Sequence, residues 1–413
     1  VGVDGLSLAE VERGIARGPL ASFGRLARRG ASGPLATLRP TEGPPIWTSI
    51  VTGCLPRDHG IKSFSTYRVL RSARSFELLP KGALVGLLER AGIVSRRPVT
   101  SASRRRRALW DALNAFGIPT GMVRLWGTHP PERVQGFVLS PYFHLLRDDP
   151  TRAATTLFPP DLWKEALART VRAPDVDPSL VQQFVDDPAR DGPWRRSLVD
   201  EALAPDLTYH RAGQLLRSVY DPAFFATHVN GLDVTGHAFF RFAHPDRFGD
   251  VRPADVRRFG RVLDSYQALV AQWVGEIAQG LRPGEVLFVV SGFGMEPVPL
   301  WRRLLGGFLG GGEASGTHAG APDGYLLAVG DGIRPEVRVE RASVLDIAPT
   351  ILYFFGLPVA RDMQGRVLTE LVAPDFARRH AVTFIPSYES LAISPQGAEA
   401  PLEDLPPLLE EGP

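Results

Sequence analysis

Asp233 and His237 stand four residues apart in Asn230-Gly231-Leu232-Asp233-Val234-Thr235-Gly236-His237, and His318 follows downstream in Ser315-Gly316-Thr317-His318. If the chain turns helical after Asn230, a separation of four puts Asp233 and His237 on one face. One carboxylate and two imidazoles suit zinc, which accepts N and O ligands and in catalytic sites keeps a fourth position open. Another carboxylate, Asp4, closes the run Val1-Gly2-Val3-Asp4-Gly5. An Asp-x₃-His spacing often arises by chance, so the case rests on these segments jointly.

Chemistry of this kind needs elements that bring distant side chains to one edge. Residues 1–4 read as the end of a buried strand, 23–29 as a short amphipathic helix and 35–38 as a strand. Pro44 and Pro45 suit a helix's first turn, where a missing N–H costs nothing. That helix carries 46–52 and stops at Gly53. A helix over 107–116 and a strand over 120–126 follow. From 140 to 221 the strand signal fades, leaving helical segments at 162–171 and 180–185, and this stretch is expected to be a cap-like insertion over the sheet's active edge. The rhythm returns with 223–232, a long helix over 254–279, strands at 286–290 and 325–329, and a helix over 344–355. Such alternation predicts a largely parallel sheet with helices on both faces. The expected division is a core of 1–139 with 222–385, an insertion over 140–221, and a C-terminal segment 386–413 ending in a loose tail from Ser394. In an open α/β sheet, ligands bind outside the carboxyl ends of strands, where Asp4 and Asp233 both fall.

Composition narrows the classes. With 413 residues, 44% hydrophobic and 22% charged, the chain can bury a substantial core, which excludes a disordered or collagen-like protein. The single cysteine, Cys54, excludes an internal disulfide or a cysteine-rich zinc site. A net charge of +2 carries no global signal for nucleic acid or membrane. Lys62, Lys81 and Lys164 are the only lysines, and the arginine excess reads as a composition bias. The longest apolar runs, near 286–290 and 351–357, fall short of the roughly 18 residues that span a bilayer. Val1 opens the chain without a methionine, so a native start, and any signal peptide, is expected before it. The expectation is a soluble protein, the cytoplasm slightly favoured, with oligomeric state open.

The most specific run is Pro44-Pro45-Ile46-Trp47-Thr48-Ser49-Ile50-Val51-Thr52-Gly53, followed by Pro56 and His59-Gly60-Ile61. With the acidic and histidine segments it resembles the alkaline phosphatase superfamily, in its type I phosphodiesterase/nucleotide pyrophosphatase branch, over most of 1–358 outside the insertion. The resemblance implies an alkaline-phosphatase-like α/β/α sandwich holding two metal ions, commonly zinc, at the strand ends. One ion would take Asp233, His237 and His318. The other would take Asp4, a Thr or Ser nucleophile, and an Asp-His pair after a β-branched strand. Here the nucleophile position, four before Trp47, is Gly43, and the Asp-His pair is Gly292-Phe293. The expectation is therefore one divalent metal, zinc, rather than two.

Two functions follow from that reading. The first is a metal-dependent phosphoester or phosphodiester hydrolase using a metal-activated water on a phosphorylated small molecule or lipid. The alternative is a catalytically inactive pseudoenzyme that binds a phosphorylated ligand or a protein partner. A sulfatase or mutase is opposed by glycine at position 43.

Neighbouring residues read more plainly. Thr48 is expected to bond back to the carbonyl four residues earlier, Thr41 to cap the turn before Pro44, and His59 to be structural. Glu42 and Glu296 are the candidates for rebuilding the second metal position. His129 and His228 show no partner pattern, and Trp47, Trp110 and Trp126 read as packing. Arg104–Arg107 is expected as a solvated helix start, and Asp346 as a helix cap.

Overall fold

The computed structural model describes residues 1–69, 75–76, 83–189, 192–299, 315–391 and 405. The tail expected from 394 onward lies, apart from residue 405, outside them. The strands of the main sheet are β1 (Gly2–Val3), β2 (Ala31–Ala36), β3 (Thr120–Val123), β4 (Gly136–Leu139) and β5 (Leu157–Phe158). They continue with β6 (Phe224–Val229), β7 (Val286–Phe293), β8 (Asp323–Gly330), β9 (Val337–Arg338) and β10 (Ala342–Ser343). Their order is β9-β2-β8-β7-β1-β6-β3-β4-β5, with β10 also on β2. Strand β8 runs antiparallel to both neighbours and β5 antiparallel to β4, while the other pairings are parallel.

The principal helices are α1 (Leu8–Arg17), α2 (Ala21–Arg29), α3 (Gly43–Thr52), α4 (Ala204–Tyr220), α5 (Gly231–Ala243) and α6 (Val262–Gln279). The period-2 alternation of strands sorts their side chains between two faces. Leu287 and Val289 of β7, with Tyr325, Leu327 and Val329 of β8, pack against Phe23, Phe239, Phe240, Tyr266 and Val270. Val290, Leu326 and Ala328 point the other way, onto Ile46, Trp47, Ile50, Ile347 and Tyr353. Two cores on opposite faces of one mostly parallel sheet make the α/β/α sandwich that the alternation implied.

Helix α3 forms as its residues dictate. Pro44 and Pro45 occupy its first turn, and Gly53 (φ 66°) ends it in the left-handed region, donating to Ser49 O at 2.9 Å. Thr48 Oγ1 bonds back to Pro44 O at 2.7 Å. Asp346 accepts from Ser343 N and Arg366 N, both at 2.8 Å, at the turn that leads into the helix Ile347–Phe354.

Several local expectations change in the folded chain. The strand expected to reach 126 stops at Val123, because Arg124 turns with φ 60°. The long helix expected over 254–279 is broken into Pro253–Phe259 and α6. Gly260 lies at the break, where a Cβ would sit 2.5 Å from Val256 O and 3.2 Å from Phe242 O. Arg104 is not at a solvated helix start. It is buried, pairing with Glu132 at 2.7 Å and Asp111 at 3.1 Å, because Trp110 and the loop after β3 close over it. Segment 140–221 supplies the edge strand β5 and the helix α4, whose Tyr209, Ala212 and Leu216 pack on Val123, Phe137 and Leu139 of the sheet. A three-stranded antiparallel sheet of Ser65–Val69, Ser75–Phe76 and Val94–Pro98 adds to the architecture that the sequence implies.

Candidate metal centre

Strands β1 and β6 are parallel neighbours, with Val3 opposite Val229, so both chains leave the sheet at the same edge. Asp4 N donates to Val229 O at 3.2 Å, and Gly5 passes so close that a Cβ there would lie 3.4 Å from Asp233 Cα. After β6 the chain turns directly into α5, which puts Asp233 in the first turn and His237 one turn later on the same face. His318 follows the short strand Gly316–Thr317, which pairs with Glu296–Pro297 beyond the end of β7. Ser315 N donates to His237 O at 2.7 Å, tying this loop to α5. Met295 fills the contact, and a side chain at Gly236 would lie 2.5 Å from its sulfur.

The three side chains converge, their ligand atoms all within 4.8 Å of one another. Asp233 Oδ1 approaches His318 Nε2 to 2.6 Å, and Asp233 Oδ2 lies 3.7 Å from His237 Nε2. Neither Asp233 Oδ1 nor His318 Nε2 has a hydrogen-bond partner, although both are buried. Buried polar atoms left without an aligned hydrogen bond call for an explanation, and an ion held jointly by the two side chains would supply one. The second nitrogens are spoken for. His237 Nδ1 donates to Gly316 O and His318 Nδ1 to Gly294 O, both at 2.8 Å. A carbonyl accepts only, so Nδ1 of each ring carries a proton and Nε2 is the nitrogen turned toward Asp233; in the neutral ring that is the tautomer that a metal requires. The donor set and its orientation fit a divalent ion of the zinc type.

Electrostatics follow the same geometry. Burial alone would raise the Asp233 carboxyl, but His318 and His237 beside it hold it below the usual range. Burial lowers His237 in spite of Asp233. Burial would also lower His318, but the closer Asp233 raises it above the ordinary histidine value of 6.5.

Asp4 does not join that group. Trp47 Nε1 donates to its Oδ1 at 2.6 Å, and His228 Nε2 lies 2.9 Å from its Oδ2. The indole and imidazole rings pack edge to face, 4.5 Å between centroids. No local pattern marks either partnership; the parallel register does, setting His228 opposite Gly2. At Gly292 a Cβ would lie 2.6 Å from Ile46 Cγ2. Phe293 is buried edge-on to the His318 ring, 4.6 Å between centroids. Gly43 differs, because a Cβ there would meet nothing nearer than Trp126 Nε1 at 3.8 Å.

The remaining candidates sit apart from the trio. Glu296 accepts from Gly320 N at 2.6 Å and so braces the His318 loop, while Glu42 occupies the N-cap position of α3. Thr41 Oγ1 donates to Leu38 O at 3.3 Å. His59 is wholly buried, accepting from Ile61 N on Nδ1 at 3.2 Å with Nε2 3.0 Å from Ser49 Oγ, and burial lowers it to about 3.

A mostly parallel α/β/α sandwich with carboxylate and histidine side chains gathered where β1, β6 and β7 end belongs to the class of open-sheet α/β proteins that bind ligands at the carboxyl ends of their strands. Residues 1–305 match the family model described as type I phosphodiesterase / nucleotide pyrophosphatase. The chain belongs to that family, a branch of the alkaline phosphatase superfamily. Among solved structures it is similar to human ectonucleotide pyrophosphatase / phosphodiesterase 5 (ENPP5, NPP5). The identity is 12% over 90% of this chain and 99% of that one, with a TM-score of 0.49. Comparison with curated protein sequences finds no match. Among the described residues no helix is long and apolar enough to cross a membrane.

Proposed function

We propose that this chain is a one-metal member of the family, holding a divalent ion, zinc, on Asp233, His237 and His318 and engaging a phosphorylated small molecule or lipid there. The observation that carries the reading is the pair of 2.8 Å bonds from His237 Nδ1 and His318 Nδ1 to backbone carbonyls, which commit both Nε2 atoms to a common point beside Asp233. When bound, such an ion would supply Lewis-acid polarisation of a phosphoryl oxygen. Asp233 would balance its charge, the two carbonyls would hold the rings, and Phe293 would wall the His318 side of the crevice.

The family's two-metal transfer is not what this arrangement supports. Asp4 is engaged by Trp47 and flanked by His228, Ile46 occupies the space beside Gly292, and Gly43 carries no hydroxyl. These observations favour the reading as a pseudoenzyme that binds without turning over. A hydrolase with solvent as nucleophile is the second reading, and the three-ligand set, which leaves a coordination position open, favours it. The division into a core of 1–139 with 222–385, an insertion over 140–221 and a C-terminal segment from 386 belongs to the same proposal.

Metal content per chain, measured on protein purified without chelators, tests the reading. One ion per chain, lost in Asp233→Ala, is the expected result. Two ions, or one that survives Asp233→Ala, would overturn it. Turnover of phosphodiester substrates by the loaded chain then separates the two readings. A melting temperature raised by a phosphodiester analogue without turnover supports the binder.

A further inference from the structure

Helix α5 carries two of the three candidate ligands, and its own N-cap does not hold it. Asn230, at the N-cap position, makes no side-chain bond to the helix's first N–H groups. Those groups otherwise point out of the helix unpaired, which costs stability at a buried end. Asp206, in the first turn of α4 and almost wholly buried, takes the role instead. Its Oδ2 accepts from Gly231 N at 2.9 Å and from Tyr266 Oη at 2.8 Å, while Oδ1 accepts from Asn230 N at 3.4 Å and pairs with Arg124. Arg124 in turn lies over the Tyr209 ring, 4.7 Å from its centroid. A side chain at position 231 would collide with the Tyr266 hydroxyl and lie 2.7 Å from Asp206 Oδ2. Gly231 is thus what lets the clamp approach. Burial and the neighbouring Asp206 hold the Tyr266 phenol well above its usual range, so it stays a donor.

We propose that Asp206 is a positioning residue for the metal centre: lent by the helix α4, it caps α5 from outside and so fixes Asp233, two residues beyond the capped N–H, against His318. A carboxylate at a helix N-terminus is favoured by the peptide dipoles, and Arg124 pairs with this one. Asp206 touches neither ligand nor substrate, so it acts through the placement of the first turn. The inference rests on the one-metal reading above.

The test is Co²⁺ binding to the full chain, read by affinity and by the visible absorption of the bound ion, which reports ligand geometry. Loss of a group that orients a ligand typically costs about 10- to 100-fold in metal affinity, and that loss is expected in Asp206→Ala with an altered absorption band. Asp206→Asn, which keeps a capping acceptor, should recover part of the affinity. A folded Asp206→Ala chain whose affinity and band equal the parent's would overturn the proposal. If that variant does not fold, Asp206→Asn decides, because it keeps the volume and an acceptor while removing the charge at Gly231 N; affinity and band both equal to the parent's then overturn the proposal. Failure of the parent chain to bind Co²⁺, or binding undiminished in Asp233→Ala, would sink the metal reading and the role of Asp206 with it.

Discussion

Gly43 and Gly292 are both glycine where the family pattern has chemistry, yet their surroundings differ. Gly43 is helical, with its nearest potential neighbour at 3.8 Å, whereas Gly292 faces Ile46 Cγ2 at 2.6 Å. Gly43→Ser should change stability by no more than about 0.5 kcal/mol in urea unfolding, the usual range for a change that meets no obstacle. Gly292→Ala should cost about 1–3 kcal/mol by overpacking a filled core. Equal costs for the two would mean that the α3–β7 contact yields more easily than its packing indicates. Gly43→Ser alone should not create phosphodiesterase turnover, because Asp4 stays bonded to Trp47 and no Asp-His pair replaces Gly292-Phe293. Trp47→Phe removes the 2.6 Å bond to a buried carboxylate and should lower stability by about 1–3 kcal/mol, read from the same denaturation curves.

At the scale of elements, the crevice is built by how strands end. Parallel β1 and β6 deliver Asp4 and Asp233 to one edge, and beyond the end of β7 the pairing of Glu296–Pro297 with Gly316–Thr317 brings His318 back over α5. The loop after β3 is held by a buried charge network. Arg104 joins Asp111 on the following helix to Glu132 near β4, and Trp110 Nε1 donates to Glu132 at 2.9 Å. Removing the cation leaves two carboxylates facing each other out of water. Arg104→Ala should therefore cost about 3–5 kcal/mol, as breaking a buried pair does, and a loss under 1 kcal/mol would show the network to be hydrated. The charge run Arg104–Arg107 had suggested a solvated face because sequence shows charge but not what closes over it.

The whole molecule should weaken in acid through its buried histidines. Burial lowers His59 to about 3, His129 to about 4 and His144 to about 3, against an ordinary value of 6.5. Below pH 6.5 the unfolded chain takes up protons that the folded chain refuses. Their contribution is complete above 6.5 and is lost as pH falls toward 4, at up to roughly 1.4 kcal/mol per histidine per pH unit. The urea midpoint should drop steadily between pH 6.5 and 4.5; a flat profile would mean that these rings are solvated in the native state.

How much was legible follows from the range of each signal. Local signals carried the strand–helix alternation, the Pro-Pro start and glycine stop of α3, and the Asp-x₃-His face of α5, because each depends on a few consecutive residues. The long helix α4 and the small sheet at 65–98 were not legible, since prolines and acidic residues mask the first and nothing marks the pairing of the second. The sequence by itself determined the family pattern, the residue types at the centre and the positions where that pattern lacks chemistry. Only the tertiary structure decided that Asp4 belongs with Trp47 and His228, that Ile46 fills the space beside Gly292 while Gly43 stays open, and that Asp206 caps α5. Those are matters of register and close approach between segments far apart in the chain, and no local pattern encodes a distance between them.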